Sequence, residues 1–462
     1  MIRYPRFKKT IVCSVVCSLI GSQAAMAAPL PFATMPAGHN DRTPAPNVII
    51  SVDDSGSMGG TKMTTLKSAL TSAFNDMTLL PDGKIRLAWQ VMWNNGHSPG
   101  ANTIAAGAVN SMKVLDSTHR ANFQSFVDSL RAGSMTPSMR MMRQADEYMR
   151  LPQSINSPWA SKPGVQETPY LSCRRSYHIF MTDGRWNSVA NPDIAIGNVD
   201  GTDTGLPDGE SYTAFATQTK IYGDTYDTPN TTSEPRRTLA DWAFRSWSND
   251  LQPGINNEIQ PTVDYLNAPP TETIGGVSFD KYWNPKYNPA TWQHMVTYSI
   301  GYGAEPGAWS NTLGIARPTD TLPFGWNNGF VSLMTGATTW PDLSPNETNR
   351  SLDLWHAAIN GRGRYFWVQA DNQLRVAFES ILQRINDETS SSVSGVAASA
   401  SANVVENVGI YTGGYDASKA WSGYVYADTF GTNGTLSKDP TWGPGTGTIP
   451  PSDHHTTADK LD

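Results

Sequence analysis

Five apolar runs of strand length recur along the chain, with helix-period stretches between them. Asn47–Val52, Lys84–Trp93, Tyr177–Thr182, His294–Gly301 and Arg364–Val368 read as strands. Thr61–Asp76, Ser117–Arg131, Pro137–Arg150, Thr238–Leu251, Leu352–Asn360 and Asn372–Asp387 read as helices. The first helix carries Leu66, Ala69, Leu70 and Ala73 on one face, and the second carries Phe123, Phe126, Val127 and Leu130. Pro137 suits the first turn of the third. Strands that are apolar along their whole length are buried on both faces, which points to a parallel sheet covered by helices. The pattern predicts an α/β fold around a doubly wound, mostly parallel sheet. Two stretches, about 187–292 and 303–350, read as large loop insertions in that core. The first opens on an aperiodic segment, Asn187 to about Glu234, rich in Gly, Asp, Thr and Pro. The chain's 15 tryptophans suggest that such long loops are ordered.

The ends read differently. Arg3, Arg6, Lys8 and Lys9 precede the apolar run Ile11–Ile20, which is too short to span a bilayer, and Ala25-Met26-Ala27 fits a small-x-small cleavage site. Residues 1–27 are therefore expected to be a signal peptide, with the mature chain beginning at Ala28. Residues 28–46 read as a Pro/Ala-rich linker and 47–387 as the α/β domain. Residues 388–402 read as a Ser/Ala-rich linker or extended crossing segment. Residues 403–462, with GIYTGGY and WSGYVYADTF, read as the start of a β-rich domain. No later apolar run is long enough to span a membrane, so the expectation is an exported chain without a transmembrane segment. Loss of four positive charges with the signal moves the formal net charge from −7 to −11. An acidic chain with no Lys/Arg cluster is a poor match for nucleic acid. Cys13 and Cys17 leave with the signal, and Cys173 alone cannot make an internal disulfide. It pairs with another chain or with a cysteine outside the given sequence, or it is a buried free thiol.

The stretch VIISVDDSGSMGG, Val48–Gly60, places Asp53, Ser55 and Ser57 on alternate positions where the first strand ends. Open parallel sheets bind ligands at the carboxyl ends of their strands. Alternate residues in an extended turn point the same way, so these oxygens can converge. A carboxylate with two hydroxyls suits Mg²⁺ or Mn²⁺ and not zinc. Gly56 and Gly59 allow a sharp turn. Two other segments offer matching oxygens: Gly133-Ser134-Met135-Thr136-Pro137 before a helix, and Met181-Thr182-Asp183-Gly184 after a strand. Against these stands a plain alternative, that Asp53 and Ser55 cap the helix at Thr61. Gly59-Gly60-Thr61-Lys62 lacks the spacing of a phosphate loop, and Ser55-Gly56-Ser57-Met58-Gly59 lacks the first glycine of a nucleophile elbow. No nucleophile and base come together, so the chain is read as non-enzymatic. His178, alternating with apolar residues, reads as structural. Asn198–Asp203 (NVDGTD) offers close oxygen donors for Ca²⁺ but lacks a twelfth-position glutamate, and a plain Asx turn is the better reading.

An Asp-x-Ser-x-Ser, a later Thr before a helix and a later Asp-Gly after a strand resemble the metal-ion-dependent adhesion site of von Willebrand factor A domains. The resemblance implies that Ser55, Ser57 and Thr136 supply hydroxyl oxygens and that Asp53 and Asp183 coordinate directly or through water. Such sites hold Mg²⁺ or Mn²⁺ with one position open for a partner's carboxylate. Asp54 is read as supporting or capping, outside the metal's ligands.

Thr238–Ala243 (TLADWA), Trp292–Thr297 (WQHMVT), Leu354–Gly363 (LWHAAINGRG) and Val404–Gly423 resemble the N-terminal half of PilY1/PilC-type proteins of type IV pili and its lead-in to a C-terminal propeller. That resemblance implies an exported factor at the pilus tip, cell surface or outer membrane, acting in pilus assembly, attachment and twitching motility. Its partners would be minor pilins or tip proteins and a carboxylate-bearing host or abiotic surface. A metal-dependent scaffold that primes assembly with minor pilins, or a surface-contact mechanosensor, are the alternatives. The propeller and its calcium loop are not in this sequence.

Overall fold

A computed structural model of the chain describes residues 44–95, 103–186, 196–224, 238–318, 324–343 and 347–389, together with the strands 393–399, 408–416, 422–430 and 436–438. The expected signal peptide lies outside these residues, as does the expected 28–46 linker except for its last three residues, Pro44–Pro46. The chain divides into two compact units, residues 42–390 and residues 1–41 with 391–462.

The larger unit is built on six strands: β1 (Asn47–Val52), β2 (Arg86–Val91), β3 (Lys113–Val114), β4 (Ser176–Thr182), β5 (Val296–Tyr302) and β6 (Arg362–Val368). Their order across the sheet is β3-β2-β1-β4-β5-β6. All neighbours are parallel except the two-residue β3, which runs antiparallel to β2 at the edge. This is the doubly wound, mostly parallel arrangement that the strand and helix periods predict. The five long strands fall within two residues of their expected starts and ends. β3 was not foreseen, because two residues show no period.

Six helices cover the sheet: α1 (Thr61–Asn75), α2 (Ser117–Ser129), α3 (Ser138–Met149), α4 (Leu239–Ser248), α5 (Ser351–Asn360) and α6 (Asp371–Thr389). Alternation along β1 sorts its side chains between two cores. Val48, Ile50 and Val52 face α1, α2 and α6, packing with Leu66, Leu70, Phe123, Phe126, Phe378 and Ile381. Ile49 faces the other way, toward α3. On that second face a polar ladder crosses three strands. Ser51 Oγ meets His178 Nε2 at 2.7 Å and accepts from Gln90 Nε2 at 2.7 Å. Burial lowers the His178 pKa to about 3, so this histidine is a neutral part of the core, as its strand position implied.

The stretches read as insertions share one core with α3, α5 and the sheet, which contributes Phe180, Tyr365 and Trp367. Trp242, Trp247, Trp292, Trp309 and Trp355 are all buried in one cluster with Tyr212, Tyr222 and Phe244. α4 lies inside the first of these stretches, yet it packs on α5 and covers the sheet. Arg362 is buried against this cluster, 4.2 Å over the Trp247 ring and 4.8 Å over the Tyr222 ring. The glycine beside it has a steric reason: a Cβ on Gly363 would lie 2.0 Å from the Thr297 carbonyl oxygen.

α6 runs back along the sheet. At its start Asp371 accepts from the Tyr302 hydroxyl at the end of β5, and near its finish Glu388 accepts from the Tyr177 hydroxyl at the start of β4. The chain therefore enters β1 and leaves α6 at the same end of the sheet.

In the smaller unit, β7 (Val393–Ser399), β8 (Val408–Asp416), β9 (Ser422–Phe430) and β10 (Leu436–Lys438) form an antiparallel sheet in chain order. β7 lies in the Ser/Ala-rich stretch that reads from sequence as a linker or crossing segment.

Candidate metal centre

In a sheet of this order the connections reverse direction between β1 and β4, and the crevice beyond the carboxyl ends of those two strands is the natural ligand position. Asp53 follows β1 and Asp183 follows β4, so both carboxylates stand at that crevice. Both are almost fully buried.

Side chains link them. Asp53 Oδ1 accepts the Ser55 amide at 2.6 Å, and Asp53 Oδ2 accepts the Thr182 hydroxyl at 2.6 Å. Ser55 Oγ lies 3.0 Å from Ser57 Oγ, and Ser57 Oγ donates to Asp183 Oδ1 at 2.7 Å. Lys62, in the first turn of α1, places its ammonium 2.5 Å from Asp183 Oδ2. The Gly133–Pro137 segment docks against the same edge: the Gly56 amide donates to Ser134 O at 2.9 Å, and the Gly133 amide donates to Asp54 O at 2.8 Å. Thr136 sits on this docked segment, 4% exposed. The structure thus gathers Asp53, Ser55, Ser57 and Asp183 in one hydrogen-bonded chain and brings the Thr136 segment up beside it.

Burial, and next the neighbouring Asp183 carboxylate, raise the Asp53 pKa to about 7, against the pull of its bonds to Ser55 and Thr182. Two carboxylates in one desolvated pocket favour a cation between or beside them. The donors are all oxygen, two carboxylates with three hydroxyls, and that set fits Mg²⁺ or Mn²⁺.

Asp54 points elsewhere. Its Oδ1 accepts the Trp93 amide at 3.0 Å and its Oδ2 accepts from the Asn95 side chain at 3.2 Å. It ties the loop after β2 to the β1 end, in keeping with its exclusion from the ligand set. The helix-capping alternative for Asp53 and Ser55 does not hold, because the N-cap of α1 is Gly60 and no side chain bonds there. The sharp turn also falls on Gly60, with φ of 70°, and not on Gly59, whose φ of −61° is open to any residue. Sequence reasoning missed Lys62 and Thr182, which have no motif of their own.

In the NVDGTD loop, Asn198 Nδ2 donates to Asp224 O at 2.8 Å and the Thr202 hydroxyl donates to Asn198 O at 2.5 Å. Asp203 stays at the surface and accepts the Ala214 amide, while Asp200 turns fully inward. The two carboxylates diverge, so they do not form one calcium loop.

Comparison with known proteins agrees with the sequence resemblance. The chain is 36% identical over 307 residues to a type IV pilus biogenesis factor, PilY1, of Pseudomonas aeruginosa strain PAO1, covering 65% of this chain and 23% of that protein. The chain is a relative of PilY1. The PilY1 of strain UCBPP-PA14 is 31% identical over 332 residues, 72% of this chain and 25% of the relative. The chain thus spans about a quarter of the length of the PilY1 proteins it matches. No family model matches it. Among solved structures, the pilus adhesin SpaC of Lactobacillus rhamnosus GG aligns with a TM-score of 0.33 at 10% identity, over 86% of this chain and 37% of that one. The von Willebrand factor domain of the type V pili tip protein Mfa5 of Porphyromonas gingivalis aligns at 0.28 and 14%, over 75% and 96%. At these scores the structural likeness adds nothing to the sheet order already described.

Proposed function

We propose that this chain is the metal-dependent adhesion part of an exported type IV pilus biogenesis and adhesion factor. The observation that carries the reading is the meeting of Asp53, Ser55, Ser57 and Asp183 at the β1/β4 crevice of a PilY1 relative. Asp53 and Asp183 would hold a Mg²⁺ or Mn²⁺ ion with the Ser55, Ser57 and Thr136 hydroxyls. The ion would supply an electrophilic position for a carboxylate of a partner. The protein's own residues do the rest: Thr182 orients Asp53, Asp54 fixes the adjoining loop, and Lys62 offsets part of the charge on Asp183. The partner would be a minor pilin, another tip protein or a carboxylate-bearing host or abiotic surface. The place of action would be the pilus tip, cell surface or outer membrane, with no catalysis. Among the described residues no helix is long and apolar enough to cross a membrane.

A second reading has the same site prime pilus assembly, which suits relatives named for pilus biogenesis. Asp53→Ala in the native host separates the two. Loss of surface binding with pili intact supports adhesion and twitching through attachment, and loss of pili supports the assembly role. If both survive, the site serves neither. A surface-contact mechanosensor would instead keep both and lose only the contact response. In vitro, Mg²⁺ should raise the melting temperature of the parent chain and leave Asp183→Ala unmoved.

A further inference from the structure

A second group of metal-ligand side chains lies apart from the crevice, where the first insertion meets α5. Asp200, Asp224 and His356 are each buried, and one ligand atom from each lies within 4.8 Å of the others. His356 and Asn360 are one helical turn apart on α5 and present to the same side.

The imidazole of His356 faces acceptors at both nitrogens. Nε2 lies 2.7 Å from the Tyr222 carbonyl oxygen and 3.7 Å from Asp200 Oδ2, and Nδ1 lies 3.5 Å from Asp224 Oδ2. A neutral imidazole has one N–H. The shorter contact takes it, which leaves the Nδ1 lone pair directed at a carboxylate oxygen. A ligating histidine has this same arrangement, with its other N–H given to a backbone carbonyl. Asn360 packs against the same group. Its Nδ2 donates to Asp200 Oδ2 at 2.8 Å and to Tyr222 O at 3.1 Å, while its Oδ1 is fully buried without a hydrogen-bond partner.

We propose that Asp200, Asp224 and His356 bind one zinc-class divalent ion. An imidazole nitrogen with carboxylate oxygens suits Zn²⁺ better than Ca²⁺ or Mg²⁺. Three protein donors leave a fourth position for a water. The ion would join the insertion, through Asp200 and Asp224, to α5 of the sheet-covering layer. His356 is already fixed for this role by stacking on Trp340, with ring centroids 4.2 Å apart.

The test uses the whole purified chain carrying Asp53→Asn, which removes the crevice site from the readout. After chelation and dialysis against Zn²⁺, this chain should retain about one equivalent and melt higher than its metal-free form. Adding Asp224→Asn or His356→Gln should lower the retained zinc at least fivefold. Equal retention in all three chains, or none in the first, overturns the proposal and leaves a proton-sharing network. Uptake of Ca²⁺ without Zn²⁺ overturns it too. If the added substitutions prevent folding, X-ray absorption of the zinc-loaded first chain decides. One imidazole in an otherwise oxygen shell supports the site. Sulfur, or two or more imidazoles, places the zinc at Cys173 or the tail histidines and overturns it.

Discussion

The Lys62 ammonium and the Ser57 hydroxyl share the Asp183 carboxylate, one oxygen each, at 2.5 and 2.7 Å. A cation of the chain's own is thus held at the edge of the crevice where a divalent ion is proposed. Replacing Lys62 with Met should tighten Mg²⁺ binding about threefold to tenfold, since a unit charge a few ångströms from the ion opposes it even in a wet site. Titration calorimetry on parent and Lys62→Met reads this directly. Weaker binding in the variant would mean that Lys62 orders Asp183 more than it repels the ion.

Asp53 gives the site a pH dependence. Its folded pKa, about 7, lies above the ordinary 3.8. A carboxyl raised in this way favours the folded state fully below about pH 4, and that contribution is lost as pH rises to about 7. The metal-free chain should therefore lose stability over this window, and Mg²⁺ should restore it at the upper end. Metal affinity should climb from about pH 5 to about pH 7 with proton release. Asp53→Asn should abolish both trends in melting curves taken across pH. A flat profile in the parent chain would show that Asp53 is already ionised at the acid end of that range.

Asp53 and Asp54 are adjacent and should separate cleanly. Asp54→Asn weakens bonds to Trp93 and Asn95. It should cost about 1–2 kcal/mol of stability while leaving Mg²⁺ uptake in place. Asp53→Asn should do the reverse, losing uptake while the metal-free chain melts no lower. Chemical denaturation with and without Mg²⁺ distinguishes them.

Gly363→Ala should destabilise the domain by about 3 kcal/mol or more, because the new methyl meets backbone at Thr297, which cannot swing aside. Urea unfolding measures it. A loss under about 1 kcal/mol would mean that β5 and β6 can part at this point.

The LWHAAINGRG stretch is legible as a family mark, but its physical meaning is not. Trp355 fills the tryptophan-rich core, Arg362 lies over two aromatic rings, and Gly363 lets β6 close on β5. The strands could be read because they are apolar throughout, and the crevice residues because Asp53, Ser55 and Ser57 form one short local pattern at a strand end. Asp200, Asp224 and His356 stand 24 and 132 residues apart in sequence, so no period or motif joins them. Lys62 was hidden for the opposite reason. It is one lysine on the solvent side of an amphipathic helix, and its contact depends on where β4 ends.

The return of α6 sets how the domain bears tension. Its two chain connections leave one end of the sheet, and the crevice beside Asp53 and Asp183 opens at the other. A partner pulling on the crevice while the chain is held at its connections would draw β1 lengthwise between β2 and β4. The hydrogen bonds along both sides of β1 would then be sheared together, and none could be peeled open one after another.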